Sequence, residues 1–259
     1  MKDKLLQVNI IWAALITLIY IVIKVLLLLI LEPILDSNIS NVYFEIELGE
    51  IISTFSTLIL IYIFFGKVVF LPENTSNNFS LLNRIMVIIL TTISLKIFLD
   101  PFIRYDFVLK TQEIQLKEIS KVYLSIPVFL KLARTVIFQP IFEEVFFRKI
   151  IFVRLLSKYS KFWIASAFSS ILFALTHLSI PSIFPSFCLG LLTSYILFRT
   201  KNIWYSIFSH IVFNMIWGLI YINPKIYWAT MEYLNYGIGY WICFVVGSIT
   251  LIFSIKKID

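Results

Sequence analysis

Two adjacent carboxylates, Glu143 and Glu144, stand inside an otherwise apolar run, with Ile137 and Phe138 before them and Val145, Phe146, Phe147, Ile150 and Ile151 after. In lipid a charged side chain at a helix centre costs about 2.5–3.5 kcal/mol on insertion scales, so two side by side need a reason. Arg148 follows Glu144 at i,i+4, on one helix face, where the two can pair. Glu143 is turned about 100° round the helix and is expected to point elsewhere. One arginine neutralises one carboxylate; the other is placed to act as a general base towards water. The only two histidines also fall in apolar segments. His177 closes the run Phe173-Ala174-Leu175-Thr176-His177, and His210 opens His210-Ile211-Val212-Phe213-Asn214. The spacing puts His210 and Asn214 on one helix face. An imidazole and an amide aligned there can polarise a carbonyl or ligate a metal. Taken singly, each has a plainer reading: a structural ion pair, an interfacial histidine, a helix–helix hydrogen bond. Their joint occurrence on three segments of one chain favours chemistry.

The elements that must position these groups are membrane spans. The 259 residues are 60% hydrophobic and 14% charged, with a mean hydropathy of +0.93. Soluble domains sit nearer 45–50% apolar and about 25% charged. An all-α, polytopic membrane helix bundle is therefore expected, a single membrane domain over 1–259 with its motif-bearing core at 136–221. Eight spans are predicted, at about 5–31, 51–71, 85–103, 136–156, 162–178, 186–198, 203–221 and 236–255. The first is taken as a retained span and not a leader. Pro33 is expected to end it, Ser179–Pro185 to form a turn, and 104–121 to be an exposed or interfacial polar stretch. Glu32, Asp36, Glu45, Glu47 and Glu50 fall in a first outer loop without Lys or Arg. With both termini cytoplasmic, the inner segments hold Lys2 and Lys4, Lys67 and Arg84, the basic patch from Arg148 to Lys161, Arg199 and Lys201, then Lys256 and Lys257. That alternation obeys the positive-inside rule. The net charge of +7 suits anionic lipid and gives no reason to invoke nucleic acid. Cys188 and Cys243 read as small apolar residues within spans.

The three motifs, Glu143-Glu144-Val145-Phe146-Phe147-Arg148, Phe173 to His177 and His210 to Asn214, resemble those of the CAAX-protease and bacteriocin-processing (CPBP, Abi) family of intramembrane proteases. The likeness covers about 136–221, and every anchor position matches. It implies a mostly eight-span helical endopeptidase acting on a membrane-embedded or lipid-modified peptide or protein. By the same likeness Glu143 activates water with His177 as its partner. His210 and Asn214 bind a metal or stabilise the oxyanion, Arg148 orients Glu144, and Phe173 anchors the second motif. If a divalent metal such as zinc takes part, Glu143, His177 and His210 would be its three ligands, with water fourth. The sequence contains no HExxH motif, which excludes a zincin-like site. The expected setting is a bacterial cell membrane, in keeping with heavy use of Ile, Phe, Lys and Asn.

Two other classes compete. One is a non-catalytic bacteriocin self-immunity protein that sequesters a peptide or receptor, against which the intact motifs argue. The other is a small transporter with a proton-relay glutamate, against which the lack of an inverted repeat argues.

Overall fold

The computed structural model describes residues 8–36, 42–65, 81–103, 128–177, 180–222, 230 and 237–258. Every element among them is helical. We number the helices α1 (Ile10–Asp36), α2 (Val42–Phe65), α3 (Leu81–Ile103), α4 (128–159), α5 (Phe162–Leu175), α6 (Ile180–Thr200), α7 (Ile203–Ile222) and α8 (Ile238–Ile255). Five of them, α1, α3, α6, α7 and α8, are long and apolar enough to cross a membrane. Large apolar side chains line the outward faces of α1 (Leu18, Leu29, Ile30) and α8 (Ile242, Val246, Phe253). Contiguous apolar surface on this scale belongs against lipid, and the chain is a multi-pass membrane protein.

Three helix pairs build the bundle: α1 with α2, α3 with α8, and α5 with α6. Helix α4 runs among α2, α5, α6 and α7, so the residues it carries are enclosed on several sides. Without a hydrophobic drive between helices in lipid, close backbone approach at small residues does much of the joining. A Cβ on Gly190 of α6 would stand 2.8 Å from the Ser170 Cβ of α5, and one on Gly247 of α8 would stand 2.6 Å from Ile97 Cγ2 of α3. One apolar cluster sits between α1, α4 and α5, around Tyr20, Phe146, Phe147 and Phe173. A second lies between α3 and α6, around Ile88, Leu99, Leu189 and Ile196.

Several boundaries differ from expectation. Helix α1 runs through Pro33 to Asp36; the proline, in the last turn, removes a backbone hydrogen bond without ending the helix. Helix α2 begins at Val42, so Glu45, Glu47 and Glu50 lie within it and not in a loop. Lys24 of α1 pairs with that Glu50 at 2.7 Å. Most of the expected turn at Ser179–Pro185 is instead the start of α6, where Pro181 occupies the second position and sacrifices only an amide that has no helical partner. Helix α4 starts at Val128, before the predicted 136. The polar stretch 104–121 lies outside the described residues.

Candidate active site

Helix α4 widens into a π-helical stretch on each side of the two glutamates. It is α-helical over Val128–Leu132, π-helical over Ala133–Phe138, α-helical over Gln139–Glu144, π-helical over Val145–Phe152 and α-helical over Val153–Tyr159. Wide turns of this kind are frequent at functional sites. The first has a local cause. The Gln139 amide donates to Arg134 O, five residues back. The next amide in that register would serve Thr135 O, but residue 140 is proline and has none. Asn214 of α7 fills the gap, its Nδ2 donating to Thr135 O at 2.8 Å. A helix carbonyl freed by proline in a membrane must find a donor, and here a motif residue supplies it. The amide keeps a second N–H.

Both glutamates are buried, Glu144 completely. As expected from the i,i+4 spacing, Arg148 Nε lies 3.1 Å from Glu144 Oε2. The guanidinium is fully buried and fixed from α5 and α6: Nε donates to Thr193 Oγ1 at 2.7 Å and Nη1 to Ser169 Oγ at 3.4 Å. Ser169 in turn donates to Phe147 O at 2.8 Å. The other oxygen of Glu144 faces His210 Nδ1 at 2.9 Å. The expectation that Glu143 points away is corrected. Its Oε2 stands 3.6 Å from His210 Nε2, so both glutamates address one imidazole. Two neighbours about 100° apart converge because the ring presents a nitrogen to each. Gln139 Nε2 holds the far oxygen, Glu143 Oε1, at 2.7 Å. Glu143 Oε2 and Glu144 Oε2 accept no hydrogen bond among the described residues and Arg148 Nη2 donates none, but Glu144 Oε2 lies against the Arg148 cation and Glu143 Oε2 does not.

Phe173 joins the second motif to this centre. Its buried ring meets His210 edge-on at 5.7 Å and His177 edge-on at 4.8 Å, and the Arg148 guanidinium lies 5.0 Å from its centroid. His177 closes α5, where its Nδ1–H donates to Phe173 O at 3.1 Å; in the neutral ring this leaves Nε2 as an acceptor. His177 thus shares Phe173 with His210, and among the described residues no hydrogen bond or ion pair joins it to Glu143. No group of three His, Cys, Asp or Glu side chains among the described residues is gathered closely enough to hold a metal ion. The expected ligand set of Glu143, His177 and His210 is therefore not assembled: His210 is turned to the two glutamates and His177 to its own helix.

Five participants escape sequence reasoning. Glu47, Arg134, Gln139, Ser169 and Thr193 all touch this network. Glu47 and Arg134 are 87 positions apart, and Ser169 and Thr193 are ordinary hydroxyls in apolar helices. The one available signal was the acidic segment around Glu47, which carries no cation of its own.

Residues 125–216 match the family described as type II CAAX prenyl endopeptidase, Rce1-like. Over 85 residues the chain is 34% identical to a Bacillus subtilis (strain 168) protein named "Putative membrane peptidase YdiL", a match covering 33% of this chain and 34% of that protein. The chain thus spans about a third of the length of the relative it matches. No solved structure matches it.

Proposed function

We propose that this chain, whose residues 125–216 match the type II CAAX prenyl endopeptidase, Rce1-like, family, is an intramembrane endopeptidase. Its substrate class is a membrane-associated or lipid-modified protein or peptide. The reading adopts eight spans with both termini cytoplasmic in a bacterial cell membrane, on the positive-inside argument. The observation that carries it is the convergence of Glu143 and Glu144 on His210, with one Glu143 oxygen left unbonded in a buried setting.

In this mechanism Glu143 Oε2 takes a proton from water as the water oxygen bonds to the scissile carbonyl carbon. The C–N bond then breaks, and the same proton passes to the departing amine. Glu144 holds His210 in orientation and Arg148 holds Glu144, the logic by which a carboxylate fixes an imidazole. The second N–H of Asn214 is a donor available to the developing oxyanion, a contribution typically of about 3–4 kcal/mol per donor, and His210 Nε2 is another once the ring carries both protons. His177, oriented by Phe173 O with its Nε2 free to accept, completes the water site once substrate draws the two motifs together. No step passes through a metal.

The test is to express the unsubstituted protein and Glu143→Ala at matched membrane levels and compare membrane and secreted peptides by mass spectrometry. Peptides that vanish with the substitution support proteolysis and name the substrate. Identical profiles in cells that express the protein reject it.

A further inference from the structure

The contacts behind Glu143 begin outside the matched segment. Glu47 of α2 is buried and holds Arg134 of α4 through both carboxylate oxygens, Oε2 on Nε and Oε1 on Nη2 at 3.2 Å. Arg134 Nη1 donates to Gln139 Oε1 at 3.3 Å, and Gln139 Nε2 donates to Glu143 Oε1 at 2.7 Å. We propose that Glu47, Arg134 and Gln139 are positioning residues that hold Glu143 with one oxygen tied and the other free for water. The inference rests on the reading of Glu143 as the base.

Three features carry it. The Gln139 amide cannot be reversed: arginine has only donors, so the amide oxygen faces Arg134 and the NH2 faces Glu143. The alignment also needs the change of helical register. Positions five apart in an α-helix stand about 140° apart. The π turn over Ala133–Phe138 brings Arg134 and Gln139 to one side, and the α turn over Gln139–Glu144 then stacks Gln139 on Glu143. Finally, the carboxylate of Glu47 supplies the charge that Arg134 needs in apolar surroundings. Without it, the guanidinium has Glu143 as its nearest counter-charge along this path, and a direct pair would neutralise the base. Helix α2, outside the family match, therefore completes the site.

The experiment uses the purified full chain in lipid nanodiscs. An infrared difference spectrum against Glu143→Gln identifies the Glu143 carboxylate bands. Gln139→Met, similar in length but without donor or acceptor, is expected to move those bands and to lower the unfolding temperature by only about a few degrees. On a synthetic copy of a peptide that Glu143→Ala cells fail to release, it should lower kcat about tenfold to a hundredfold with KM unchanged, the usual size of a lost supporting contact. Glu47→Gln should act in the same direction, and combining the two should be no worse than Gln139→Met alone, because both break one chain. Arg134→Lys, which keeps the pair with Glu47 and loses the fork to Gln139, provides the same reading should Glu47→Gln fail to accumulate. Unmoved Glu143 bands in Gln139→Met, or additive losses in the combined variant, overturn the proposal. If Glu143→Ala changes no peptide, the protease reading fails instead, and the infrared bands still decide whether the chain positions Glu143.

Discussion

Two regions of this bundle bury charged groups, and they treat them differently. Around α4, His210 faces both carboxylates and Arg148 pairs with Glu144, yet Glu143 Oε2, Glu144 Oε2 and Arg148 Nη2 are left without hydrogen-bond partners among the described residues. Between α3, α7 and α8, the groups are occupied by structural contacts. Tyr240 OH donates to Asp100 Oδ2 at 3.1 Å, Lys96 Nζ lies 3.5 Å from the Trp217 centroid, and Thr92 and Ser209 share a hydroxyl hydrogen bond at 2.8 Å. The cation of the second region is seated on an indole face, whereas the open atoms at α4 include a carboxylate acceptor, the kind of atom a general base needs. The comparison separates site from scaffold more sharply than burial does, since both regions are buried.

The largest expected effect falls at the first region. Arg148→Ala strands Glu144 in a fully enclosed position and should cost about 3–5 kcal/mol of stability as well as turnover, as broken buried pairs do; thermal unfolding in detergent measures it. Next is Gly190→Ala, whose methyl collides with Ser170 at 2.8 Å. Overpacking of this kind should cost about 1–3 kcal/mol, with Gly190→Ala–Ser170→Gly recovering part of it. Tyr240→Phe sharpens the comparison itself. Removing the donor to Asp100 should cost about 1.5 kcal/mol and leave kcat unchanged; a loss of turnover there would erase the distinction between the regions. The smallest effect is expected for Thr92→Val, about 0.6 kcal/mol, the average for an interhelical hydrogen bond in a membrane protein.

Much of this was readable before the structure, and the exceptions have a common cause. The apolar segments mark the described helices, five of which are long and apolar enough to cross a membrane. The Glu144–Arg148 pair follows from helical spacing; that His210 faces both glutamates does not, since it lies on another helix, 66 positions from Glu144. Glu47 was misplaced because three glutamates in one short segment read as a loop, when they form the first half of α2. Its partner on α4 is distant in sequence, and spacing rules reach only one turn. Gln139 was invisible for a different reason: its alignment with Arg134 depends on a π turn, whereas periodicity arguments assume the α register throughout. Asn214 shows the same limit. Its i,i+4 relation to His210 was legible, but its bond to Thr135 O follows from Pro140 on another helix.

The central claim is that Glu143 activates water for hydrolysis. The most direct measurement incubates the full chain in nanodiscs of water enriched in oxygen-18, with a peptide that Glu143→Ala cells do not release. The account predicts one heavy oxygen in the new C-terminal carboxyl group, and no product from Glu143→Gln at equal protein concentration and equal thermal stability. Labelled product formed by Glu143→Gln at the unsubstituted rate would contradict it.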